Sequence, residues 1–197
     1  MGESGILYST IIDPVLVKLR KHVASQIKPQ QNVIDIACGT GAQAFEIART
    51  AINVTGIDLS ESMIKTANKR KIKRNISNIN FEVIDATGIL HDIFNKFDYA
   101  VLSLALHQFP PEKYPAILSG MKSISQNMII VDYAVPLPHN LNGLACIIAE
   151  FLAGKEHHKN FKAYESNNGL RGILKDNKIK VNKEIFIAKG AFQIVIC

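Results

Sequence analysis

The sequence lacks the features that mark secreted or membrane-embedded proteins. Its three cysteines, Cys38, Cys146 and Cys197, are widely spaced among 197 residues, so they match neither a disulfide framework nor the paired spacing of a zinc site. No run approaches the roughly 18 uninterrupted apolar residues of a membrane span. Residues 1–5 lack the basic and apolar regions of a secretory signal. We therefore expect a cytoplasmic protein without a transmembrane segment.

Internal repeats, low-complexity tracts and flexible linkers are also missing. Hydrophobic residues make up 47% of the chain and charged residues 20%, which is enough apolar surface for one packed core. We expect a single domain over residues 1–197, with an N-terminal helical segment at 1–30. A second helical segment at 134–175 is predicted to form a lid or a substrate-binding element. Within it Leu141–Leu152 is apolar nearly all round, which predicts a buried helix or a lid over a pocket.

Charge is unbalanced, with a net value of +6. A basic excess is compatible with nucleic-acid binding, but it is equally typical of solvated helix and hairpin faces. Much of it lies in one short segment that carries Lys65, Lys69, Arg70, Lys71, Lys73 and Arg74. Charge alone does not decide between the two hypotheses.

Strand and helix patterns alternate through the middle of the chain, which predicts a mostly parallel sheet covered by helices. Strands are predicted at 33–37, 53–58, 81–85, 97–104 and 128–133. Helices are predicted at 11–27 and 42–50, in the segment that follows Ser60 as its N-cap, and at 110–123. Two further strands, 179–187 and 191–196, are joined across Lys189 and Gly190, which predicts an antiparallel hairpin. The last strand is almost continuously apolar, so we expect it inside the sheet.

A glycine turn follows the first predicted strand. Gly39, Gly41 and Ala44 match the G-x-G-x-x-A form of the dinucleotide fingerprint, and an acid, Asp58, lies 19 residues after Gly39. Asp35 places a carboxylate inside the strand, where it would repel phosphates but would suit a cationic group on a ligand. A further acid, Asp85, ends the third strand at the edge where open α/β sheets bind ligands.

In combination these motifs resemble the class I S-adenosylmethionine-dependent methyltransferases. The resembling segments are Asp35-x-x-x-Gly39-x-Gly41, Gly56-Ile57-Asp58-Leu59-Ser60-x-x-Met63 and Asp85-Ala86. Methyltransferase type 11 and the ubiquinone/menaquinone methyltransferases are the most similar groups. The resemblance implies a Rossmann-like seven-stranded α/β sheet of order 3-2-1-4-5-7-6, with the last strand antiparallel and helices on both faces. It implies S-adenosylmethionine as cofactor and S-adenosylhomocysteine as product.

The resemblance also assigns roles at the adenosine end of that cofactor. Asp58 would accept hydrogen bonds from both ribose hydroxyls, because a carboxylate is an acceptor with two oxygens. Asp85 would accept from the adenine amine, and the backbone amide of Ala86 would reach a ring nitrogen. Leu59 and Met63 would lie on the two faces of the adenine.

At the methionine end, the resemblance assigns Ala37, Gly39 and Gly41 to a close backbone approach. Asp35 would face the ammonium group directly or through water.

For the acceptor side, the resemblance implies roles for the end of the fourth strand, and the residues themselves suggest others. Ser103 and Leu104 would lie beside the reactive methyl, and His107 could take a proton near neutral pH. Tyr133, which ends the fifth strand, could line the pocket. For each of His107 and Tyr133 the alternative is a structural role, as a loop hydrogen bond or as packing. No metal site is predicted.

We expect a small-molecule acceptor, quinone-like or lipid-like, and a monomer or homodimer. Nucleic acid is a less favoured substrate, because the fourth strand does not lead into the Asn/Asp-Pro-Pro-aromatic loop of base amino-methyltransferases. Three alternatives stay open. They are an RNA methyltransferase that uses the basic face at 65–74, a nicotinamide-dependent oxidoreductase, and a non-catalytic S-adenosylmethionine-binding protein.

Overall fold

The structure is a computed structural model that describes residues 13–89, 96–152 and 154–197. Its strands are β1 (Asn32–Ile36), β2 (Asn53–Asp58), β3 (Ile79–Val83), β4 (Phe97–Ser103), β5 (Ser125–Tyr133), β6 (Lys183–Ile187) and β7 (Phe192–Ile196). Its helices are α1 (Asp13–Ser25), α2 (Ala42–Ile47), α3 (Glu61–Lys73), α4 (Tyr114–Ile124), α5 (Leu141–Leu152), α6 (Lys155–Ser166) and α7 (Gly169–Asp176). Residues 1–12 of the predicted N-terminal helical segment lie outside the described residues.

All seven strands form one sheet in the order β3-β2-β1-β4-β5-β7-β6. Strands β1 to β5 pair in parallel, and β7 pairs antiparallel with both β5 and β6. The fold class predicted from the resemblance is therefore confirmed, and so is the position of the last strand inside the sheet. Its apolar run is buried because β5 and β6 cover its two edges and other elements cover its faces.

The central strands are buried on both faces, which fixes where the core lies. Val33, Ile34 and Ile36 of β1 are inaccessible to solvent, and so are the middle residues of β4 and β5. A parallel strand of this kind needs apolar side chains in both directions. The carboxylate of Asp35 is therefore unusual in such a strand, and its burial needs a structural or functional explanation.

Helix α4 begins later than predicted. Residues Pro111–Lys113 form a 3-10 turn, and the α-helix starts at Tyr114 with Pro115 in its first turn. Proline lacks an N–H and is tolerated only at a helix start, so Pro115 sets the boundary. Strand β6 also begins late, because the amide of Ile179 donates to the carbonyl of Leu174 at the end of α7, at 2.9 Å.

Helix α5 departs furthest from its prediction. Its large apolar side chains face outward, and Leu141 and Phe151 are 83% and 72% exposed. The expectation of a buried helix is wrong, because the apolar residues lie on the solvent side and the smaller ones face the protein. Helices α5, α6 and α7 fill the predicted segment between β5 and β6, and a role for that segment as a lid stays a prediction. Among the described residues, no helix is long and apolar enough to span a membrane.

Candidate functional site

The sheet reverses its direction of growth between β1 and β4, which are neighbours although β2 and β3 separate them in sequence. Ligands of open α/β sheets bind at such a switch point, beyond the carboxyl ends of the strands. A cavity of about 590 Å³ lies there. The segments after β1 and β4 form one side of it, and α1 and the inner face of α5 form the other walls.

Asp35 supplies an ionisable group at the β1 end of this cavity. Its side chain is 1% exposed, and its Oδ2 has no hydrogen-bond partner among the described residues. Burial raises the pKa of this carboxyl to about 7, and the charge of Asp58 adds to the rise, whereas the backbone amide of Ala44 opposes it. A buried, unpartnered carboxylate is costly, so a cationic partner from a ligand would stabilise it.

The turn after β1 leaves open space above its backbone. Ala37 and Gly39 both have a φ of +54°, a left-handed conformation that favours glycine. Both line the cavity, and a Cβ built on Gly39 would meet nothing within 4 Å. Gly41 has a different role, since a Cβ there would lie 2.6 Å from the Phe81 ring. Its missing side chain therefore admits Phe81.

Asp58 connects this turn to β2. Its Oδ2 accepts a hydrogen bond from the amide of Gly39 at 2.8 Å, and its Oδ1 accepts one from the amide of Ser60 at 2.9 Å. A carboxylate has about four lone-pair positions. Asp58 can therefore hold the turn and still accept bonds from a ligand.

The other predicted adenosine-side residues lie along the same sheet edge, outside the cavity walls. Leu59 and Met63 are 65% and 43% exposed. Asp85 accepts hydrogen bonds from the amide and hydroxyl of Thr87, both at 2.8 Å, and so caps the 3-10 turn that contains the buried Ala86. The hydrogen bond from the Thr87 amide lowers the pKa of the Asp85 carboxyl.

Ser103 and Leu104 line the same side of the cavity as the glycine turn, at the end of β4 and directly after it. Leu104 has a φ of +54°, and its amide donates to the carbonyl of Val131 in β5 at 2.8 Å. Non-glycine residues are strained in this conformation, and such strain concentrates at ligand sites. This strained residue is followed three positions later by His107.

His107 lies at the centre of a buried polar network. Its Nδ1 is 2.5 Å from Oδ1 of Asp132, and its Nε2 is 3.4 Å from Oε1 of Glu150. Asp132 also accepts from the backbone amides of His107 and Tyr133, at 3.0 and 2.8 Å. The hydroxyl of Tyr133 donates to Glu150 Oε1 at 2.9 Å. Both ring nitrogens of His107 are therefore engaged.

The network keeps the imidazole charged. Burial by itself lowers the pKa of His107, but the charge and hydrogen bond of Asp132, followed by those of Glu150, raise it to about 9. Burial likewise raises the pKa of Glu150, yet the hydrogen bond and charge of His107 bring it below its ordinary value. Near neutral pH the imidazole of His107 is thus protonated, with the carboxyl groups of Asp132 and Glu150 beside its two nitrogens.

Glu150 retains one oxygen for a ligand. Its Oε2 is buried in the cavity wall and has no hydrogen-bond partner among the described residues. Nδ1 of His157 is 3.9 Å from this oxygen, beyond hydrogen-bond reach. Within the described ranges no group of three His, Cys, Asp or Glu side chains is arranged so that it could hold a metal ion.

Sequence reasoning missed Asp132 and Glu150. Asp132 is a charged residue inside an apolar strand, which is the signal that singled out Asp35. Glu150 is the charged residue of an otherwise uncharged helix. Either signal could have found them, whereas their meeting at His107 depends on the orientation of α5.

A family model described as "Methyltransferase domain" matches residues 27–179. The chain belongs to this methyltransferase family. It is 25% identical over 173 residues to carboxy-S-adenosyl-L-methionine synthase of Campylobacter fetus, covering 85% of this chain and 72% of that one. It is 32% identical over 77 residues to a ubiquinone/menaquinone biosynthesis C-methyltransferase of Zymomonas mobilis, covering 38% of this chain and 32% of that one. A release factor glutamine methyltransferase of Fusobacterium nucleatum and a tRNA (guanine-N(7)-)-methyltransferase of Prochlorococcus marinus match as well, so the matching relatives include protein and RNA methyltransferases.

Solved methyltransferase structures share the fold. Magnesium protoporphyrin IX methyltransferase from Synechocystis, with bound S-adenosylhomocysteine, has a TM-score of 0.64 at 19% identity, covering 95% of this chain and 86% of that one. Likeness at this identity shows the fold. Together, the comparisons support S-adenosylmethionine as the cofactor. The cavity fits that group, because the buried Oδ2 of Asp35 has no partner and can face its ammonium, and the open backbone at Gly39 leaves it room.

Proposed function

We propose that this chain transfers the methyl group of S-adenosylmethionine to a small acceptor bound in the switch-point cavity. The observation that carries the proposal is the polarity of that cavity. One end has the unpartnered Oδ2 of Asp35 beside an open glycine turn, and the other has the free Oε2 of Glu150. When bound, the cofactor supplies an activated methyl group on a sulfonium sulfur.

The cofactor's ammonium would lie against Asp35, with Ala37 and Gly39 giving its methionine part close backbone contact. Gly41 would support the same turn, because its missing side chain leaves room for the Phe81 ring. The ribose hydroxyls would donate to the free lone pairs of Asp58, since Gly39 and Ser60 use one position on each oxygen.

The adenine would lie on exposed apolar surface. Leu59 and Met63 are both large and solvent-accessible, and covering them with a flat ring removes apolar area from water. Asp85 would accept from the adenine amine, and the Ala86 amide would donate to a ring nitrogen. Ser103 and Leu104 would then lie beside the reactive methyl.

On the acceptor side, we assign the substrate contact to Glu150. His107 is charged and hydrogen-bonded at both nitrogens, so it positions Glu150 and has no free nitrogen to take a proton. Tyr133 holds Glu150 Oε1 in the same way. The free Oε2 would accept a hydrogen bond, or the proton itself, from the acceptor. An acceptor with a hydroxyl or amine fits this oxygen, whereas a carboxylate or phosphate would meet like charge.

Calorimetric titration with S-adenosylhomocysteine tests the cofactor assignment, with NAD(H) as the control ligand. We expect micromolar binding of S-adenosylhomocysteine alone. Binding of NAD(H) alone would replace this proposal with oxidoreductase activity. Transfer of a labelled methyl group to lipophilic hydroxyl and amine compounds then tests the acceptor class. Tight cofactor binding without transfer to any of them would favour a non-catalytic binding protein.

RNA is the second candidate acceptor, and the exposed basic side chains of α3 are the observation that favours it. They are Lys65, Lys69, Arg70 and Lys73, and the exposed Arg74 follows directly after the helix. RNA binding that weakens steeply with salt and is lost on substitution of Lys69 and Lys73 would support this alternative.

A further inference from the structure

Helix α5 has an inverted distribution of side chains. The residues that face the protein are small or polar, and the large apolar residues face solvent, where they are between 37% and 83% exposed. The outward apolar face consists of Leu141, Leu144, Ile147, Ile148 and Phe151. Their spacing places them on one side of the helix. We call this set the outer face of α5.

Such a face is unusual on a protein surface. Single exposed apolar residues are normal, but a contiguous stripe along a whole helix marks an interaction surface. Exposure to water does not stabilise this arrangement, because the free energy falls when apolar side chains are removed from water. Among the described residues, the exposed fractions show no partner that covers the stripe.

Basic residues lie at both ends of the outer face. Lys155 and Lys159 are exposed on α6, which begins directly after α5. At the other end the exposed Lys189 is held close, because the side chain of Asn140 donates to its carbonyl at 3.2 Å. Glu156 is an exposed acid beside Lys155, so the local charge is mixed but positive on balance.

We propose that the outer face of α5 docks on an anionic lipid membrane. Its apolar side chains would enter the boundary between headgroups and acyl chains, with Lys155, Lys159 and Lys189 at the level of the anionic headgroups. The net charge of +6 favours the same partner. A second copy of the chain fits less well, since a two-fold antiparallel pairing of α5 would bring the Lys155 end of each copy to the Lys189 end of the other.

Docking there places the acceptor end of the cavity next to lipid. The inner face of α5 contributes Ala145, Cys146, Ala149 and Glu150 to the cavity wall. Only α5 would then separate the bilayer from the cavity. A lipophilic acceptor dissolved in the bilayer would reach the cavity by passing around the ends of this helix. The inference goes beyond the proposed methyl transfer and does not depend on which cofactor binds.

Flotation with large unilamellar vesicles tests the proposal on the full chain. One set contains equal parts of phosphatidylcholine and phosphatidylglycerol, and the other contains phosphatidylcholine alone. We expect the protein to float with the anionic vesicles, less with the neutral ones, and less as salt is raised. The double variant Leu144→Glu with Phe151→Glu should bind at least about tenfold more weakly, because it places charge where apolar contact is needed.

Ile72→Glu is the matched control, because Ile72 is also apolar, 78% exposed and flanked by lysines, but lies on α3. It should bind as the wild type does. Circular dichroism checks that the double variant folds. If it does not, Lys155→Glu with Lys189→Glu carries the test and should abolish the preference for anionic vesicles.

Three results would overturn the proposal. The first is a wild-type protein that floats with neither vesicle. The second is loss of binding in Ile72→Glu but not in the α5 variants, which would assign the contact to α3. The third is a dimer in analytical ultracentrifugation that Leu144→Glu converts to a monomer without any vesicle binding, which would assign the outer face to a second copy.

Discussion

Nδ1 of His107 lies 2.5 Å from Oδ1 of Asp132, and the two side chains are 2% and 0% exposed. One residue belongs to the 3-10 turn after β4 and the other to β5. The pair therefore fastens the turn of the cavity wall to the neighbouring strand. Helix α6 supports the same turn, because the side chain of Asn160 donates to the carbonyl of Gln108 at 2.7 Å.

This pair makes stability depend on pH. The pKa of His107 is raised from 6.5 to about 9, so its contribution to the free energy of unfolding is complete below 6.5 and is lost as the pH rises through about 9. Between about pH 6 and about pH 9.5 the wild type should lose about 3 kcal/mol more than His107→Gln. Urea unfolding followed by circular dichroism measures the difference. Parallel pH profiles for the two proteins would show that the imidazole is not charged in the folded state.

Glu150→Gln should separate transfer from cofactor binding. The amide keeps the shape of the side chain but cannot take a proton, so turnover should fall by about 100-fold or more. The affinity for S-adenosylhomocysteine should change by less than about threefold, because Glu150 lies at the acceptor end. Glu156→Gln, an exposed position on α6, is the control. Full activity in Glu150→Gln would remove Glu150 from the acceptor site.

Asp35→Asn should have opposite effects on stability and on cofactor binding. The wild-type carboxyl has its pKa raised to about 7, so its stabilising protonated form is lost as the pH rises through 7. The variant should therefore be more stable than the wild type by about 1–3 kcal/mol near pH 8, with little difference near pH 4.

Cofactor binding supplies the second half of the Asp35 test. Wild-type affinity for S-adenosylhomocysteine should rise between about pH 6 and pH 8 as the carboxylate forms, with proton release seen by calorimetry in buffers of different ionisation enthalpy. Asp35→Asn should bind about tenfold more weakly at pH 8 and show no such release. Equal proton release in both proteins would assign it to another group.

Asp58→Ala should weaken S-adenosylhomocysteine binding by about 1–3 kcal/mol, because the ribose hydroxyls lose a charged acceptor. Asp98→Ala is the matched control. Asp98 likewise accepts a backbone amide bond, from Asn32 at 2.8 Å, but at the opposite end of β1. Calorimetry on both folded variants decides the matter, and an unchanged affinity in Asp58→Ala would remove the ribose assignment.

Ala37→Gly should preserve or increase stability. Ala37 has a φ of +54°, a conformation that costs a residue with a Cβ about 1–2 kcal/mol. Glycine avoids that strain but loses up to about 1 kcal/mol through its greater freedom when unfolded. The expected net gain is therefore about 0–1 kcal/mol, measured as a shift in the urea midpoint. A clear loss of stability would mean that the methyl group of Ala37 makes contacts that outweigh the strain.

The cofactor end of the site was predictable from sequence because parallel strands bring their carboxyl ends to one edge. Asp35, Gly39, Asp58 and Asp85 lie in or just after β1, β2 and β3, so knowing the strands was enough to place them near one another. Their assignment to cofactor atoms still rests on the proposal.

The acceptor end was not predictable in the same way. A helix with one apolar side has the same sequence period whether that side faces the core or solvent. Residues 141–152 were predicted as a buried helix or a lid because they are apolar nearly all round, and that pattern could not show that Glu150, not Leu144, faces the cavity. His107 was singled out, but its charge state depends on Asp132 and Glu150, which reach it from separate elements.

The side chains on the inner face of α5 can be substituted independently of the sheet and of the residues at its strand ends. Ala145, Cys146 and Ala149 occupy little volume, and they touch the cavity from a helix that contributes nothing to the sheet. Enlarging one of them would narrow the range of acceptors while the glycine turn and the strand-end acids stay as they are. On the proposed acceptor site, a few substitutions on one peripheral helix would therefore be enough to change the acceptor.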